Sequence, residues 1–217
     1  MDLVRPTGRR VVNRIGAALR QQFGDIDIYL FDQILRGRFD TRRRVLDAGC
    51  GDGRNLIYFL RNGLDCYGVD SEPDAIRRTR EVAAALAPHI PAEQFVVADL
   101  DRLPFDDAMM DAVISSAVLH FASDEDHFSR MVAEMWRVLA PGGLFFARLA
   151  SNIGLEDRIG RAGRVVALPD GTERFIVDEA MLLRYSEQLG GRLIDPIKTT
   201  NVQQKRCMTT WCVVKGR

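Results

Sequence analysis

The sequence VLDAGCGDGRNLIYFL, Val45 to Leu60, carries three glycines at every second position, 49, 51 and 53. An apolar run ends at Asp47 before them, and apolar residues at helical spacing follow. This pattern predicts a strand, a tight turn and a helix, with free backbone N–H groups and the positive end of a helix dipole beside a ligand. Glycine at the turn lets the ligand approach the backbone without meeting a Cβ atom.

The spacing of these glycines disfavours two well-known ligand turns. A dinucleotide-binding turn requires G-x-G-x-x-G, and here the third glycine would fall at Arg54 or Leu56. A P-loop ends in Gly-Lys-Ser or Gly-Lys-Thr, which does not occur here. The turn therefore predicts a different ligand.

Five short, mostly apolar segments alternate with helical segments through the middle of the chain. We expect strands at Val45–Ala48, Cys66–Val69, Phe95–Ala98, Ala112–Ser115 and Leu144–Leu149, and helices at Asn55–Arg61, Glu72–Leu86 and Asp126–Leu139. Ser71 is expected to cap the second of these helices. The alternation is typical of an α/β protein with a parallel sheet buried on both faces. Leu193–Thr199 and Cys207–Lys215 then predict a closing antiparallel pair.

Two segments lie outside this alternation. Residues 1–44, with ten arginines and five acids, are predicted to form an N-terminal helical cap on a domain that covers 45–217. Residues 151–177 are polar and rich in glycine at first, and Asp170-Gly171 then separates two β-like runs, which predicts a hairpin. We expect 151–177 to be a lid-like insertion over the C-terminal edge of the sheet, where α/β proteins bind ligands.

Composition limits the classes of function. The 217 residues have a formal net charge of zero, which disfavours a nucleic-acid partner. The basic N-terminus is not followed by the apolar segment of a signal peptide, and no apolar run could span a bilayer, so we expect a cytoplasmic protein without membrane association. The four cysteines form no CxxC pair and are expected to be reduced. No metal-ligating pattern is visible, so no metal is expected.

A set of motifs in fixed order narrows the family. Asp47–Gly53 reads D-x-G-x-G-x-G, acids follow at the ends of the second and third strands, and DAVISSAVLHF and APGG follow in turn. Together, over Val45 to Leu149, these motifs resemble the class I S-adenosylmethionine-dependent methyltransferases. The resemblance implies a Rossmann-like seven-stranded sheet, mostly parallel with a C-terminal antiparallel hairpin, and helices on both faces. It also implies S-adenosyl-L-methionine as cofactor and S-adenosyl-L-homocysteine as product.

The resemblance implies roles for individual residues of the cofactor site. Asp70 would accept hydrogen bonds from both ribose hydroxyls, since one carboxylate can accept two donors. Asp99 would meet the adenine amino group beside the backbone of Leu100. Asp47 would face the amino group of the methionine part, directly or through water, with Asn55 near the same end.

The complete expected cofactor set follows from these roles and from the turn. It contains Asp47, Gly49, Cys50, Gly51, Asn55, Asp70, Ser71, Asp99, Leu100, Asp101 and Ser115. Five members have a simpler interpretation. Asp70 could be a helix-cap acid, and Asp99 could cap a turn. Cys50 would contribute only its backbone, and Asp101 could be an ordinary surface acid. Either Ser115 or its neighbour Ser116 could line the site, or these small residues could simply leave room for the ligand.

Catalysis of methyl transfer places few demands on side chains. The reaction is an in-line displacement on a reactive donor, and holding the reactants in line supplies much of the rate. A base is needed only where the acceptor loses a proton. His120, just after the fourth strand, is the candidate base, and a packing histidine is the alternative.

The acceptor is expected to be a small molecule. Neither the N/D-P-P-Y motif of many amine-methylating nucleic-acid enzymes nor a Pro-Cys nucleophile pair is present. A narrower resemblance, to the tellurite-resistance-type methyltransferases with small acceptors, is carried by GCGDGRNLIYFLRNG and TTNVQQKRCMTTWCVVK. Residues 151–177 depart from that subgroup, so the resemblance leaves the acceptor open.

Polar side chains in two regions provide further hypotheses. Five arginines surround the predicted insertion, either as an anion-selecting lid or as an exposed polar loop: Arg148, Arg158, Arg161, Arg164 and Arg174. In the N-terminal helices, Tyr29, Gln33 and Arg36 are the side chains expected nearest the methionine carboxylate.

Three other functions remain as alternatives. The chain could be a non-catalytic S-adenosylmethionine-binding partner or sensor, or a methyltransferase acting on RNA or protein. A nicotinamide oxidoreductase is disfavoured by the glycine spacing. A monomer or a homodimer is expected.

Overall fold

A mixed β-sheet forms the centre of the computed structural model, which describes residues 15–216. Its strands are β1 (Arg44–Ala48), β2 (Asp65–Asp70), β3 (Phe95–Val97), β4 (Met110–Ser116), β5 (Leu139–Ser151), β8 (Gly191–Leu193), β9 (Lys198–Val202) and β10 (Arg206–Lys215), while β6 (Arg164–Ala167) and β7 (Glu173–Ile176) form a separate hairpin. The order across the sheet is β3-β2-β1-β4-β5-β10-β8, with β9 also paired to β10. The first five strands run parallel, and β10 runs antiparallel to its neighbours.

Helices cover both faces of this sheet. They are α1 (Ile15–Phe23), α2 (Ile28–Leu35), α3 (Ile57–Arg61), α4 (Pro73–Leu86), α5 (Glu125–Val138) and α6 (Glu179–Gln188). One face packs against α2, α3 and α4, where Phe59 and Ile76 are buried beside Phe146. The other packs against α5 and α6, where Met135 is buried beside Phe145. The expected seven-position sheet with helices on both faces is thus confirmed, and apolar residues on both sides of each central strand explain it.

The sixth predicted strand, counted along the chain, differs from the prediction. One strand was expected at Leu193–Thr199, but the structure has two, β8 and β9, separated by residues 194–197. Pro196 has no N–H to donate to a sheet. Asp195 instead accepts a hydrogen bond from Gln33 Nε2 at 2.9 Å, which draws the chain toward α2.

Two helix starts also differ from the prediction. Glu72, not Ser71, is the N-cap of α4, and its own N–H donates to Asp70 Oδ1 at 3.0 Å. The helix expected from Asn55 begins at Ile57, after a turn in which Leu56 N donates to Gly53 O. Both differences follow from the loop geometry that the glycine turn and Asp70 impose.

The hairpin predicted around Asp170-Gly171 is present as β6 and β7. Phe175 on β7 stacks on Phe128 of α5, with ring centroids 5.0 Å apart, and is fully buried. Ser151 pairs with Val177, which joins the end of this segment to the end of β5. Residues 151–177 are therefore packed against the C-terminal end of the central strands.

The four cysteines are free thiols, and all of them are buried. Across residues 15–216, no helix combines the length and the apolar character that crossing a membrane requires. Residues 1–14 of the expected N-terminal helical cap lie outside the described residues.

Candidate active site

The glycine turn joins β1 to the neighbouring strands. Gly49 N and Cys50 N both donate to Val69 O on β2, at 2.8 and 2.9 Å. Gly49 has a φ of +84°, and a Cβ atom at that position would lie 2.4 Å from Val118 Cγ2. Any other residue would be strained there, because both the backbone angle and the space disfavour a side chain. The turn is thereby packed against the chain that leaves β4.

Asp70, at the end of β2, is held by two backbone donors. Its Oδ2 accepts from Gly51 N at 2.9 Å, and its Oδ1 accepts from Glu72 N at 3.0 Å. A carboxylate oxygen has a second lone pair, so both oxygens keep acceptor capacity. The turn and the first residues of α4 therefore present a fixed carboxylate that is ready for two more donors.

A cavity of about 650 Å³ lies at this edge of the sheet. Its wall includes five residues expected in the cofactor site: Gly49, Asp70, Ser71, Asp99 and Leu100. It also includes Ser116, the other serine expected at the end of β4, and residues that the sequence did not single out for it: Arg54, Glu72, Ala117, Val118, Phe121, His127 and Met131. The size is suited to a ligand of cofactor dimensions.

Asp47 is buried behind this wall at the end of β1. Its side chain is 0% exposed, and no described residue hydrogen-bonds either carboxylate oxygen. Burial raises the pKa of Asp47 to about 7, because desolvation disfavours the charged form. A buried carboxylate without a partner is costly. A cationic group bound nearby would therefore stabilise its ionised form.

Four other expected residues do not reach the cavity wall. Asn55 Oδ1 accepts from Asp27 N at 3.1 Å, and Asp101 pairs with Arg130 Nε at 3.4 Å. Cys50 is packed in the core, and burial raises the pKa of its thiol, so it is not a nucleophile. Ser115 is fully buried.

Gly51, also expected in the cofactor set, does not line the cavity. Its N–H donates to Asp70, which does. It has a φ of +52°, and a Cβ atom placed there would meet no atom within 4 Å. Its backbone angle favours glycine, but the space around it would admit a side chain.

The three side chains of the N-terminal helices that were expected near the methionine carboxylate make their contacts elsewhere. Gln33 and Arg36 pair with Asp195, and the Tyr29 hydroxyl hydrogen-bonds the Thr200 hydroxyl. None of these three expected residues lines the cavity. Their partners are Asp195, between β8 and β9, and Thr200 on β9, so their expected place at the methionine carboxylate stays a prediction.

Asp27 joins the N-terminal helices to β4 and β5, which the sequence did not predict. It caps α2, is 4% exposed, and accepts from Ser116 Oγ at 3.0 Å and from Arg148 Nη1 at 2.9 Å. An acid directly before an apolar helical run is a recognised cap signal, so its cap role could have been found. Its partners on β4 and β5 could not.

A second cavity of about 320 Å³ adjoins the first. The two share Ala117 and Phe121, so one short segment separates them. Ala117 has a φ of +64°, a strained angle for alanine that is often found at functional sites.

His120 lies in the second cavity. It is 5% exposed, and its Nδ1 has no partner among the described residues. Burial, with Arg174, Arg148 and Arg206 around it, lowers the pKa of His120 to about 4. The imidazole is therefore neutral near pH 7 and able to accept a proton. Within residues 15–216, no group of three or more His, Cys, Asp or Glu side chains is placed to hold a metal ion.

A family model described as "Methyltransferase domain" matches residues 46–147. The match runs from β1 to β5 and contains the glycine turn, Asp70 and Asp99. Residues 46–147 are a class I methyltransferase domain. Methyltransferases of this class take the methyl group from S-adenosylmethionine. The cavity beside the glycine turn is lined by the carboxylates of Asp70 and Asp99, and the buried carboxylate of Asp47 lies behind its wall.

The methyltransferase domain has a relative among curated proteins. Malonyl-(acyl-carrier protein) O-methyltransferase of Enterobacter lignolyticus (strain SCF1) is 32% identical over 150 residues, which cover 68% of this chain and 55% of the relative. The chain spans about half the length of the curated relatives it matches.

Solved structures share the fold of the methyltransferase domain. The 1,6-didemethyltoxoflavin-N1-methyltransferase of Burkholderia thailandensis, solved with 1,6-didemethyltoxoflavin and S-adenosylhomocysteine, has a TM-score of 0.65 at 20% identity and covers 100% of this chain and 93% of its own. The cyclase SpnF has a TM-score of 0.66 at 17% identity, over 86% of this chain and 80% of its own. These similarities establish the fold. The narrower resemblance to tellurite-resistance-type enzymes stays a prediction.

Proposed function

We propose that this chain transfers a methyl group from S-adenosylmethionine to a small-molecule acceptor. The observation that carries the proposal is the pair of adjoining cavities that share Ala117 and Phe121. The larger one is lined by two of the carboxylates expected for the cofactor, Asp70 and Asp99, and the smaller one is lined by a neutral histidine. A methyl group passing between two bound molecules requires such a shared boundary, because the reacting atoms must lie in line and in contact.

The cofactor side of the proposal assigns roles to five residues. Asp70 would accept from the ribose hydroxyls, and Asp99 and Leu100 would meet the adenine. Asp47 would balance the charge of the methionine ammonium group, most simply through water, because its side chain is buried. Gly49 keeps the turn close to the ligand. The cofactor supplies an electrophilic methyl group.

The acceptor side of the proposal assigns a role to His120. As the acceptor forms its new bond to the methyl carbon, a hydroxyl or amine acceptor must lose a proton. The unpartnered Nδ1 of His120 is the candidate acceptor of that proton, and the burial and surrounding arginines that keep the ring neutral near pH 7 also make it a weak base. An acceptor that is already deprotonated would need no base.

Other predictions belong to the same proposal. We take residues 1–44 as a cap and 151–177 as a lid-like insertion, supported by the contacts of α2 and of the β6–β7 hairpin. A small-molecule acceptor is in keeping with the 1,6-didemethyltoxoflavin bound in the Burkholderia structure. The absence of a nucleic-acid partner, a monomeric or homodimeric state and a cytoplasmic location stay predictions.

The alternative function is a protein that uses the same fold without methyl transfer. A cyclase with this fold shows that architecture alone does not fix the reaction. Turnover distinguishes the two: formation of S-adenosylhomocysteine from S-adenosylmethionine with a panel of small hydroxyl, amine, thiol and carboxylate compounds supports the enzyme. Binding without turnover on any compound supports the partner or sensor.

Calorimetric titration with S-adenosylhomocysteine tests the cofactor site and the role of Asp47 together. Asp47 is largely protonated at about pH 6, and a nearby ammonium group lowers its pKa, so binding is expected to release protons. Repeating the titration in buffers of different ionisation enthalpy measures that release. Asp47→Asn is expected to abolish this proton release. In the wild type the release is expected to vanish at about pH 9, where Asp47 is already ionised. No binding by the folded protein would refute the cofactor site.

Replacing His120 by glutamine tests the proposed base. With an acceptor that loses a proton, kcat is expected to fall roughly a hundredfold while affinity for S-adenosylhomocysteine is unchanged. In the wild type, kcat/KM should be level near neutral pH and fall only toward pH 4, because the pKa of His120 is lowered to about 4. A variant with wild-type kcat, or an acid limb that stays in the variant, would remove His120 from this role.

The same shift has a consequence for stability. In the unfolded protein His120 becomes protonated as the pH falls below its ordinary pKa of 6.5. In the folded protein it becomes protonated only as the pH approaches its lowered pKa of about 4. The contribution of His120 is therefore present above pH 6.5 and is lost as pH falls toward 4. Asp47 acts in the opposite sense, because its pKa is raised on folding. His120→Gln should therefore make the free energy of unfolding less sensitive to acid.

A further inference from the structure

The second cavity carries an excess of positive charge. Three guanidinium groups line it, those of Arg148, Arg174 and Arg206, against the single carboxylate of Asp170. His120 adds no charge near neutral pH, since its ring is neutral. An open cleft with three cations and one anion on its wall favours an anionic ligand.

The three arginines differ in how much of their charge is balanced. Arg148 donates to the buried Asp27 at 2.9 Å, although its Nε has no partner in the described part of the chain. Arg206 lies 3.8 Å from Asp170, which is too far for a hydrogen bond. Arg174 pairs with no carboxylate of residues 15–216. Arg174 and Arg206 thus retain most of their donors.

Arg174 is nonetheless held in place. Its guanidinium lies over the ring of Phe121, 4.8 Å from the centroid, and its Nη1 donates to Glu173 O. Phe121 also borders the cofactor cavity. Stacking on an aromatic ring pre-organises the planar guanidinium while leaving its edge free for a carboxylate. The charge is therefore positioned beside the boundary between the two cavities.

Apart from His120 and Thr172, the rest of the cavity wall is apolar. Ala150, Leu168, Val202 and Met208 line it together with the arginines. A bare inorganic anion would leave this surface without contacts, whereas an organic acid would cover it.

We propose that the methyl acceptor is a small organic carboxylate, with its anionic group bound by Arg174 and Arg206 and its apolar body against Leu168 and Met208. This inference rests on the proposed function, because it takes the second cavity as the acceptor site. It divides the five arginines of the original hypothesis: Arg148 and Arg174 line the cavity, while Arg158, Arg161 and Arg164 are exposed and do not.

The test uses the full chain saturated with S-adenosylhomocysteine and two matched pairs of probes. Benzoate and phenylacetate carry the charge, and benzamide and phenylacetamide have nearly the same shape without it. Binding is measured by ligand-observed nuclear magnetic resonance. Both carboxylates are expected to bind roughly tenfold more tightly than their amides, since a charge-assisted bidentate pair is lost in the amides.

Three variants test which charged side chains of the second cavity act on the carboxylate of the probe. Arg174→Gln and Arg206→Gln should each weaken carboxylate binding roughly tenfold without changing amide binding or affinity for S-adenosylhomocysteine. Asp170→Asn should have the opposite effect and tighten carboxylate binding a few-fold, because it removes the competing charge while Oδ1 can still accept from Thr172 N. Arg164→Gln, an exposed arginine on the same hairpin, is the control and should change nothing.

The outcomes separate the two proposals. Failure to bind S-adenosylhomocysteine refutes the proposed function. With that cofactor product bound, the inference is overturned if neither carboxylate binds, if carboxylates and amides bind equally, or if Arg174→Gln and Arg206→Gln bind carboxylates like the wild type.

Discussion

Asp70→Ala is expected to weaken binding of S-adenosylhomocysteine by at least roughly a hundredfold, because two charge-assisted hydrogen bonds to the ribose are lost together. Titration calorimetry measures the loss directly. The carboxylate also holds Gly51 N and Glu72 N, at 2.9 and 3.0 Å, so part of the effect arises from a loosened turn. Asp70→Asn keeps one acceptor for those groups and should give an intermediate affinity.

Asp101→Ala is the matched control for Asp70→Ala. Sequence patterns placed both acids in the cofactor site, but Asp101 instead pairs with Arg130 and does not line the cavity. Its replacement should leave the affinity for S-adenosylhomocysteine unchanged. Equal losses in the two variants, or wild-type affinity in a folded Asp70→Ala protein, would contradict the assigned ribose contact.

Gly49→Ala is expected to destabilise the protein by about 2–5 kcal/mol, the sum of a left-handed backbone angle and a Cβ forced against Val118. Cofactor affinity should fall with it, since the turn must move. Gly51→Ala should cost only about 1 kcal/mol, because its Cβ would enter open space. Urea denaturation compares the free energies of unfolding of the two variants.

A double mutant separates crowding from backbone strain at Gly49. Val118→Ala removes the two methyl groups that lie 2.4 and 2.7 Å from the added Cβ atom. The pair Gly49→Ala and Val118→Ala should therefore show a favourable coupling of about 1–3 kcal/mol. Additive effects would mean that Val118 does not confine the turn.

The cofactor side of the site could be predicted because it depends on strand ends. Asp70 and Asp99 each follow an apolar strand, and parallel strands bring their carboxyl ends to one edge. Asp101, two residues beyond Asp99, has the same residue type and nearly the same place in the sequence. Only the direction of its side chain, toward Arg130, excludes it, and no local pattern encodes that direction.

The acceptor side could be predicted only in part because it depends on contacts between distant residues. Asp27 meets Ser116 and Arg148 across sequence separations of 89 and 121 residues. Arg206 reaches the second cavity from β10, far from the segment in which arginines were expected to gather. The break between β8 and β9 has the same origin, since Asp195 is turned toward α2 by Gln33 and Arg36.

Asp27 also links the two binding equilibria. One of its oxygens, Oδ2, accepts from Ser116, on the wall of the first cavity, and from Arg148, on the wall of the second. A ligand that displaces either donor changes the bond that the other donor makes. Thermodynamic reciprocity then applies: whatever factor the cofactor imposes on acceptor affinity, the acceptor imposes on cofactor affinity. One buried carboxylate would thus couple the two affinities without any large movement of the domain.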